Sequence, residues 1–329
     1  MTFRAAVIGC GGISTMHASN YETSRHAELV ATADISAEAL ERFTSAHPGV
    51  AAYTSYREML EREQLDMVTV CTPASTHLAP SLAVAQSSVK ALLIEKPMAM
   101  NLRDADAILQ ACRSGGVKVA VGHQLRYASC YRTARQLIQS GCIGAVERIW
   151  GICHSAPLQT NATHTIDLLR FLAGDGSVDW VMGSIAVSSH GVYEGFVQED
   201  AGLGFFQFHD GPVALIESGD LHPNRGYHHI YLDGSDGQME LTRQGAPALV
   251  FRSEATGGQW QEPEYLPALN PVDDLCEAVI NGTTPCSSGE QGRATLEIIL
   301  ALFESARSHQ RVDLPLRNLE NPLEQILSS

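Results

Sequence analysis

Val7-Ile8-Gly9-Cys10-Gly11-Gly12-Ile13-Ser14 decides the reading of the chain's first third: an apolar run ends in Gly-x-Gly, and a helix opens directly behind it. Glycines there permit a tight turn and let backbone N–H groups reach a pyrophosphate at the helix N-terminus, where the dipole favours negative charge. The third glycine of the dinucleotide fingerprint is replaced by Ser14, so the octapeptide also reads as an ordinary glycine turn. Asp34 supports the dinucleotide reading, because it ends the next predicted strand about 20 residues on, where a carboxylate binds ribose hydroxyls. Such a carboxylate accepts from the 2′-OH and repels a 2′-phosphate, which favours NAD over NADP. Its other reading is a helix N-cap, a job for which Ser36 is better placed.

Outward from this turn, short apolar runs alternate with segments of helical period. The strand candidates are Arg4 to Ile8, Leu29 to Ala33, Val50 to Tyr53, Met67 to Cys71, Ala91 to Ile94 and Val117 to Val121. Helical stretches lie between them, such as Ala37 to Ala46, and Leu102 to Arg113, which opens at Asn101 and stops at Gly115-Gly116. This is the pattern of βαβ units and a doubly wound parallel sheet, expected over residues 1–122. Beyond it the runs become strand-like: Val146 to His154, Val178 to Ser188, Ala201 to His209, Pro212 to Ser218, His228 to Leu232, Gln238 to Thr242 and Ala248 to Arg252. Asp210-Gly211 and Asp233-Gly234-Ser235-Asp236-Gly237 supply turns. Residues 123–329 are therefore expected to form an α+β domain with a large, mostly antiparallel sheet. Helices are predicted at Thr163 to Leu172 and Ala294 to Ser308, the second returning to pack on the first domain.

Composition narrows the function classes. A formal net charge of −15 over 329 residues, with no Lys/Arg run, argues against a nucleic-acid partner. Eight cysteines are scattered singly, with no Cys-x-x-Cys pair and no metal-ligand spacing, as in reduced cytoplasmic proteins. No metal site is expected. The first strand begins almost at once, with no charged leader, and no apolar run is long enough for a membrane span, so a soluble cytoplasmic chain with no membrane partner is expected.

Lysine at the carboxyl end of a strand lies in the crevice where open α/β sheets bind ligands, and Glu95-Lys96-Pro97 follows the run Ala91 to Ile94. Its placement after a buried strand and before a proline argues against an ordinary surface lysine and for acid/base chemistry or substrate binding. Cys71-Thr72-Pro73, followed by Thr76 and His77, lies on the same sheet edge and offers polar groups to a cofactor. Thr76 as a helix cap with a solvated His77 is the other reading. His164 and Asp167 stand three residues apart on one helical face, where both also suit purely structural roles.

Together these features resemble the glucose-fructose oxidoreductase/inositol dehydrogenase family over almost the whole chain. The matching elements are Val7 to Ile13, Thr72-Pro73 with His77, Glu95-Lys96-Pro97, Val121-Gly122-His123-Gln124 with Arg126-Tyr127, His164-Thr165-Ile166-Asp167, and Glu304-Ser305-Ala306-Arg307 with Val312-Asp313-Leu314-Pro315-Leu316. The resemblance implies a Rossmann domain followed by an open-faced domain whose sheet forms a homo-oligomer interface. It also implies NAD(P)-dependent oxidation or reduction of a carbinol or keto carbon in a sugar, sugar derivative or cyclitol. The family's catalytic lysine falls on Lys96 and its substrate histidine on His164. The cofactor set becomes Gly9, Gly11, Gly12, Ile13, Asp34, Thr72, Pro73, His77, Glu95 and Lys96, and the substrate set Lys96, His123, Arg126, Thr160, Asn161 and His164. Many members carry an aspartate four residues before the histidine, where this chain has Thr160, which hydrogen-bonds but does not ionise. His123 stands where an apolar or aromatic residue is frequent.

Arg126 and the segment Leu221 to His228, with Arg225, offer guanidinium groups that would suit an anionic substrate; an exposed loop arginine is the alternative. Three activities compete: net dehydrogenation or reduction, a redox-neutral elimination or hydrolysis using NAD transiently, and a catalytically silent cofactor-sensing regulator.

Overall fold

The computed structural model describes residues 2–154, 157–187, 192–193, 196–219, 228–244 and 246–328. Two compact units emerge, one of residues Met1–Gln124 with Leu269–Arg293, the other of Leu125–Ala268 with Ala294–Ser329.

In the first unit the apolar runs become β1 (Phe3–Ile8), β2 (Ala27–Ala33), β3 (Ala51–Tyr53), β4 (Met67–Val70), β5 (Ala91–Ile94) and β6 (Lys118–Val121), all parallel and in the order β3-β2-β1-β4-β5-β6. Between them run α1 (Ser14–Glu22), α2 (Ala37–Ala46), α3 (Tyr56–Arg62), α4 (Leu78–Ala85) and α5 (Leu102–Gly115). β4 and β5 are wholly buried, as strands covered on both faces must be. The side chains of Ser36, Ser55 and Asn101 cap α2, α3 and α5, and α5 ends on Gly116 in the left-handed conformation. The strand order reverses between β1 and β4, so the carboxyl ends of those strands bound the crevice where such sheets bind ligands.

The second unit holds β7 (Val146–Cys153), β8 (Val178–Ala186), β9 (Val192–Tyr193), β10 (Phe196–Val197), β11 (Ala201–Phe208), β12 (Val213–Gly219), β13 (His228–Gly234), β14 (Gly237–Gln244) and β15 (Ala246–Ser253), with helices α6 (Ser129–Gln139) and α7 (Thr163–Leu172). With a short later strand they form an eight-stranded sheet, antiparallel except where β12 runs parallel to β7; β9 and β10 pair separately. One sheet face is apolar core: Phe206, Phe208, Ile216, Ile230, Leu241 and Leu249 are buried. Each contributes roughly 1.5–3 kcal/mol by leaving water.

The chain then returns to the first unit through α8 (Pro271–Asn281), whose Val272, Leu275 and Cys276 join the cluster formed by Val7, Met67 and Leu93. Next come α9 (Gly289–Ser308), the short strand β16 (Val312–Asp313), which pairs with β8, and α10 (Pro322–Ser328). The expected contiguous second domain, 123–329, is therefore interrupted. Helix α8 makes the return expected of Ala294 to Ser308, because its buried stripe fits the first unit's core. That later stretch of α9 belongs to the second unit, where a Cβ at Gly183 would meet Leu302 at 2.6 Å.

Candidate active site

The glycine turn leaves β1 with Gly9 at φ +98°, and a Cβ there would stand 2.8 Å from the Cys71 carbonyl carbon. Only glycine lets the turn lie this close to the end of β4. Gly11 and Gly12 are exposed and border open space, and Ile13, the N-cap of α1, supplies no side-chain hydrogen bond, with no acidic residue in the helix's first turn. A helix start without a side-chain cap or a nearby carboxylate is the kind that accommodates an anion. Asp34 follows β2; its Oδ2 accepts from the Cys10 N–H at 2.6 Å and its Oδ1 from the Ser36 N–H at 2.8 Å. The carboxylate consequently fixes the glycine turn. Ser36 is the cap of α2, as its placement suggested.

Lys96 is half-buried at the carboxyl end of β5, and its bond to Pro97 is cis. Glu95 is buried, its Oε1 2.7 Å from His17 Nε2 on α1 and its Oε2 accepting the Lys96 backbone N–H at 3.0 Å. Burial alone would raise this carboxyl's pKa, but the His17 hydrogen bond and charge, with Lys96, outweigh it and hold it below the ordinary value. Glu95 therefore faces inward as a carboxylate, and His17 Nε2–H donates to it. His77 is also buried, which overturns the solvated alternative: Nε2 lies 2.8 Å from the Thr72 carbonyl and Nδ1 3.3 Å from that of Met98. Burial lowers its pKa. A neutral ring donates from one nitrogen, and the distances assign that proton to the Thr72 bond. His123, just past β6, is buried.

In the second unit a single π-helical turn, Leu158–Ala162, leads into α7 and carries half-buried Thr160 and Asn161. Every residue of α7 is buried, His164 included, and the His164 ring stands edge-on to His228 at 5.9 Å. His228 Nδ1 and Thr165 Oγ1 are 2.8 Å apart. Asp167 takes another partner: its Oδ2 and Oδ1 accept from Arg126 Nε and Nη2 at 2.6 and 2.7 Å, and Oδ1 also accepts from Thr295 Oγ1 at 3.1 Å. Arg126 further reaches Asp175 at 2.9 Å. Desolvation opposes the guanidinium charge, yet the two aspartates prevail and hold it firmly protonated. Arg126 is wholly buried in this network, so the expected substrate role is replaced by an ion pair inside the second unit. Arg225 and the rest of 221–227 lie outside the described residues.

A sequence model of the oxidoreductase family with the NAD-binding Rossmann fold matches residues 3–123, and one of the family's C-terminal alpha/beta domain matches 155–314. The chain belongs to the glucose-fructose oxidoreductase/inositol dehydrogenase family. It is 34% identical to inositol 2-dehydrogenase 3 of Saccharopolyspora erythraea over 97% of each chain. Identity is 25% to the D-apiose dehydrogenase of Paraburkholderia graminis, over 97% of this chain and 92% of that one. The aldose-aldose oxidoreductase of Caulobacter crescentus shares the fold, with a TM-score of 0.84 at 21% identity over 95% of this chain and 100% of the other.

The NAD of this family fits the crevice. Beside the uncapped α1 and Asp34, Thr72 Oγ1 is buried with no hydrogen-bond partner among the described residues, a donor and acceptor at the switch point. Among the same residues no cluster of three or more His, Cys, Asp or Glu could hold a metal, and no helix is long and apolar enough to cross a membrane. His17 and Glu199 escaped the sequence reading, and His228 entered it only as the start of a strand and the end of the segment Leu221 to His228. His17 shares the buried stripe of α1 with Ser14, Ala18 and Tyr21, a helical spacing that could have revealed it. His228 opens a strand. Glu199, buried before β11 with Oε1 accepting the Leu158 N–H, has no periodic signature in Gln198-Glu199-Asp200.

Proposed function

We propose that the chain uses NAD to interconvert a carbinol and a keto carbon of a sugar, sugar derivative or cyclitol, with Lys96 as the main acid/base and His164 binding a substrate hydroxyl. The observation that carries this is Lys96, half-buried at the carboxyl end of β5, the strand beside β4 in a sheet of NAD-binding type. Bound NAD supplies the two-electron acceptor. In oxidation Lys96 accepts the proton of the reacting hydroxyl; in reduction it donates one to the carbonyl oxygen. Thr160 and Asn161 lie within one helical turn of His164 and supply neutral hydrogen-bonding groups, so the family's usual aspartate charge is absent and Lys96 carries the proton transfer.

The test mixes the protein with NAD and a panel of myo-inositol, scyllo-inositol, D-apiose and D-glucose, following net NADH. Lys96→Ala should lower kcat by roughly 100- to 10,000-fold while NADH fluorescence titration stays within about twofold. Unchanged turnover would remove Lys96 from the chemistry, and consumption of a substrate without NADH would replace dehydrogenation by a redox-neutral reaction.

A second copy of the chain is the proposed partner of the sheet's other face. Met182, Phe205, Leu215, Trp150 and Tyr231 stand in register across β8, β11, β12, β7 and β13, and Leu203 beside them is 57% exposed. Such an apolar row is an association surface. Sedimentation velocity should show a dimer or larger species, and Leu203→Glu with Phe205→Glu should dissociate it. A reducing cytoplasmic setting suits the eight cysteines, all free thiols.

A further inference from the structure

We infer that the carboxylate of Glu95, held by His17 and accommodated by Gly122, is the device that positions Lys96 against the nucleotide-binding helix. The inference rests on Lys96 being the acid/base. Three separate stretches of sequence meet on this carboxylate. His17, 1% exposed on α1, holds Oε1 at 2.7 Å; the backbone N–H of Lys96 holds Oε2 at 3.0 Å; and a Cβ on Gly122 would stand 2.7 Å from Oε1 and 3.0 Å from the carboxyl carbon. Gly122 itself is tied to β5, its N–H donating to the Ile94 carbonyl at 2.8 Å. On the far side of the cis Lys96-Pro97 bond, the His77 ring lies between the carbonyls of Thr72 and Met98.

The lysine backbone is thereby fixed to the helix whose N-terminus takes the pyrophosphate and, through His77, to the loop after β4. A buried carboxylate held by hydrogen bonds is a poor source of stability, since apolar residues of similar size would pack there at lower desolvation cost. What it adds is a defined direction: two charge-assisted bonds at fixed angles set where the Lys96 peptide lies relative to α1. Glu95 is for this reason a positioning residue rather than a cofactor contact. Acid/base transfer tolerates little misplacement, and a shift near 1 Å costs about 100-fold in rate.

The experiment compares His17→Ala, His17→Gln and Gly122→Ala with wild type and Lys96→Ala, using the full chain, NAD and the same panel of sugars and inositols. Losing the His17 donor, or pushing Glu95 aside with the Gly122→Ala methyl, should lower kcat by roughly 10- to 100-fold, with the KM for NAD and the NADH Kd within about twofold. His17→Gln, whose amide nitrogen reaches the place of Nε2, should recover kcat to within about threefold. Unchanged kcat, parallel loss of kcat and NADH affinity, or failure of His17→Gln to recover kcat would each overturn the inference; if His17→Ala does not fold, Gly122→Ala carries the same comparison. Amide hydrogen exchange over residues 94–99 is a readout independent of turnover: it should accelerate at least about tenfold in His17→Ala and Gly122→Ala but not in Lys96→Ala. Should wild type turn over nothing in the panel, the functional reading fails, and exchange alone decides the positioning: acceleration upholds it and unchanged exchange overturns it.

Discussion

Glu199→Gln should make the second unit's stability less sensitive to pH, and its size follows from where the carboxyl sits. Glu199 is 2% exposed, and burial, with Asp200 adding to it, raises its pKa from 4.5 to about 7 despite the Leu158 N–H it accepts. Between those values the unfolded chain has lost this proton while the folded chain keeps it. Stability therefore falls as pH rises, by about 1.4 kcal/mol per pH unit. Across the roughly 2.5 pH units concerned, the loss from this group is on the order of 3 kcal/mol, complete above pH 7 and absent below 4.5. Glutamine keeps an acceptor for the Leu158 N–H but has no proton to lose, so the difference between variant and wild type should grow in the variant's favour from pH 4.5 to pH 8. All three tryptophans, Trp150, Trp180 and Trp260, lie in the second unit, so urea unfolding followed by their fluorescence reports this unit specifically. A difference in unfolding free energy that stays constant over that pH range would refute the reasoning.

Arg126→Met should destabilise the same unit by about 3–5 kcal/mol in the same urea assay, because Asp167 keeps a buried charge without its main cation, and adding Asp167→Leu should recover most of the loss. Gly9→Ala forces a side chain into φ +98° and against Cys71, so NADH affinity by fluorescence titration should fall about tenfold or more. Asp34→Ser should move the ratio of NADH to NADPH affinity toward NADPH by roughly tenfold and weaken both, since the Cys10 N–H loses its 2.6 Å acceptor.

The parallel sheet was legible because its signals are local. Apolar runs, a glycine turn and capped helices repeat along residues 3–121, and Asn101, Ser36 and Gly116 serve in the structure as their positions suggested. Lys96 and His164 draw attention for the same reason, each near an element end with a recognisable flank; the structure has Lys96 half-buried after β5 and His164 buried on α7. The partners of buried polar groups were not legible, because they are fixed by packing between segments far apart in sequence. Asp167 reads as a companion of His164 three residues away, yet its carboxylate goes to Arg126, 41 residues distant. Arg126 reads as a guanidinium open to an anionic substrate for the same reason, and nothing in Glu95-Lys96-Pro97 announces that His17, 78 residues back, holds the Glu95 carboxylate. The return of α8 to the first unit was hidden because an apolar helical stripe announces that it will be buried but not against which sheet.

A shared economy connects these cases. In each unit the residue assigned to chemistry is flanked by a buried carboxylate held by a distant partner: Glu95, held by His17, precedes Lys96, and Asp167, held by Arg126, follows His164. If such pairs served stability alone, apolar replacement of both members would be neutral or favourable, as general experience with buried ion pairs indicates. Their bonds instead constrain direction: Glu95 holds a peptide N–H, and Asp167 on α7 holds the guanidinium in a two-point fork. Apolar double replacement at Arg126 and Asp167 should therefore retain folding while lowering kcat, separating orientation from stability in one variant; a double variant as active as wild type would show that the pair directs nothing.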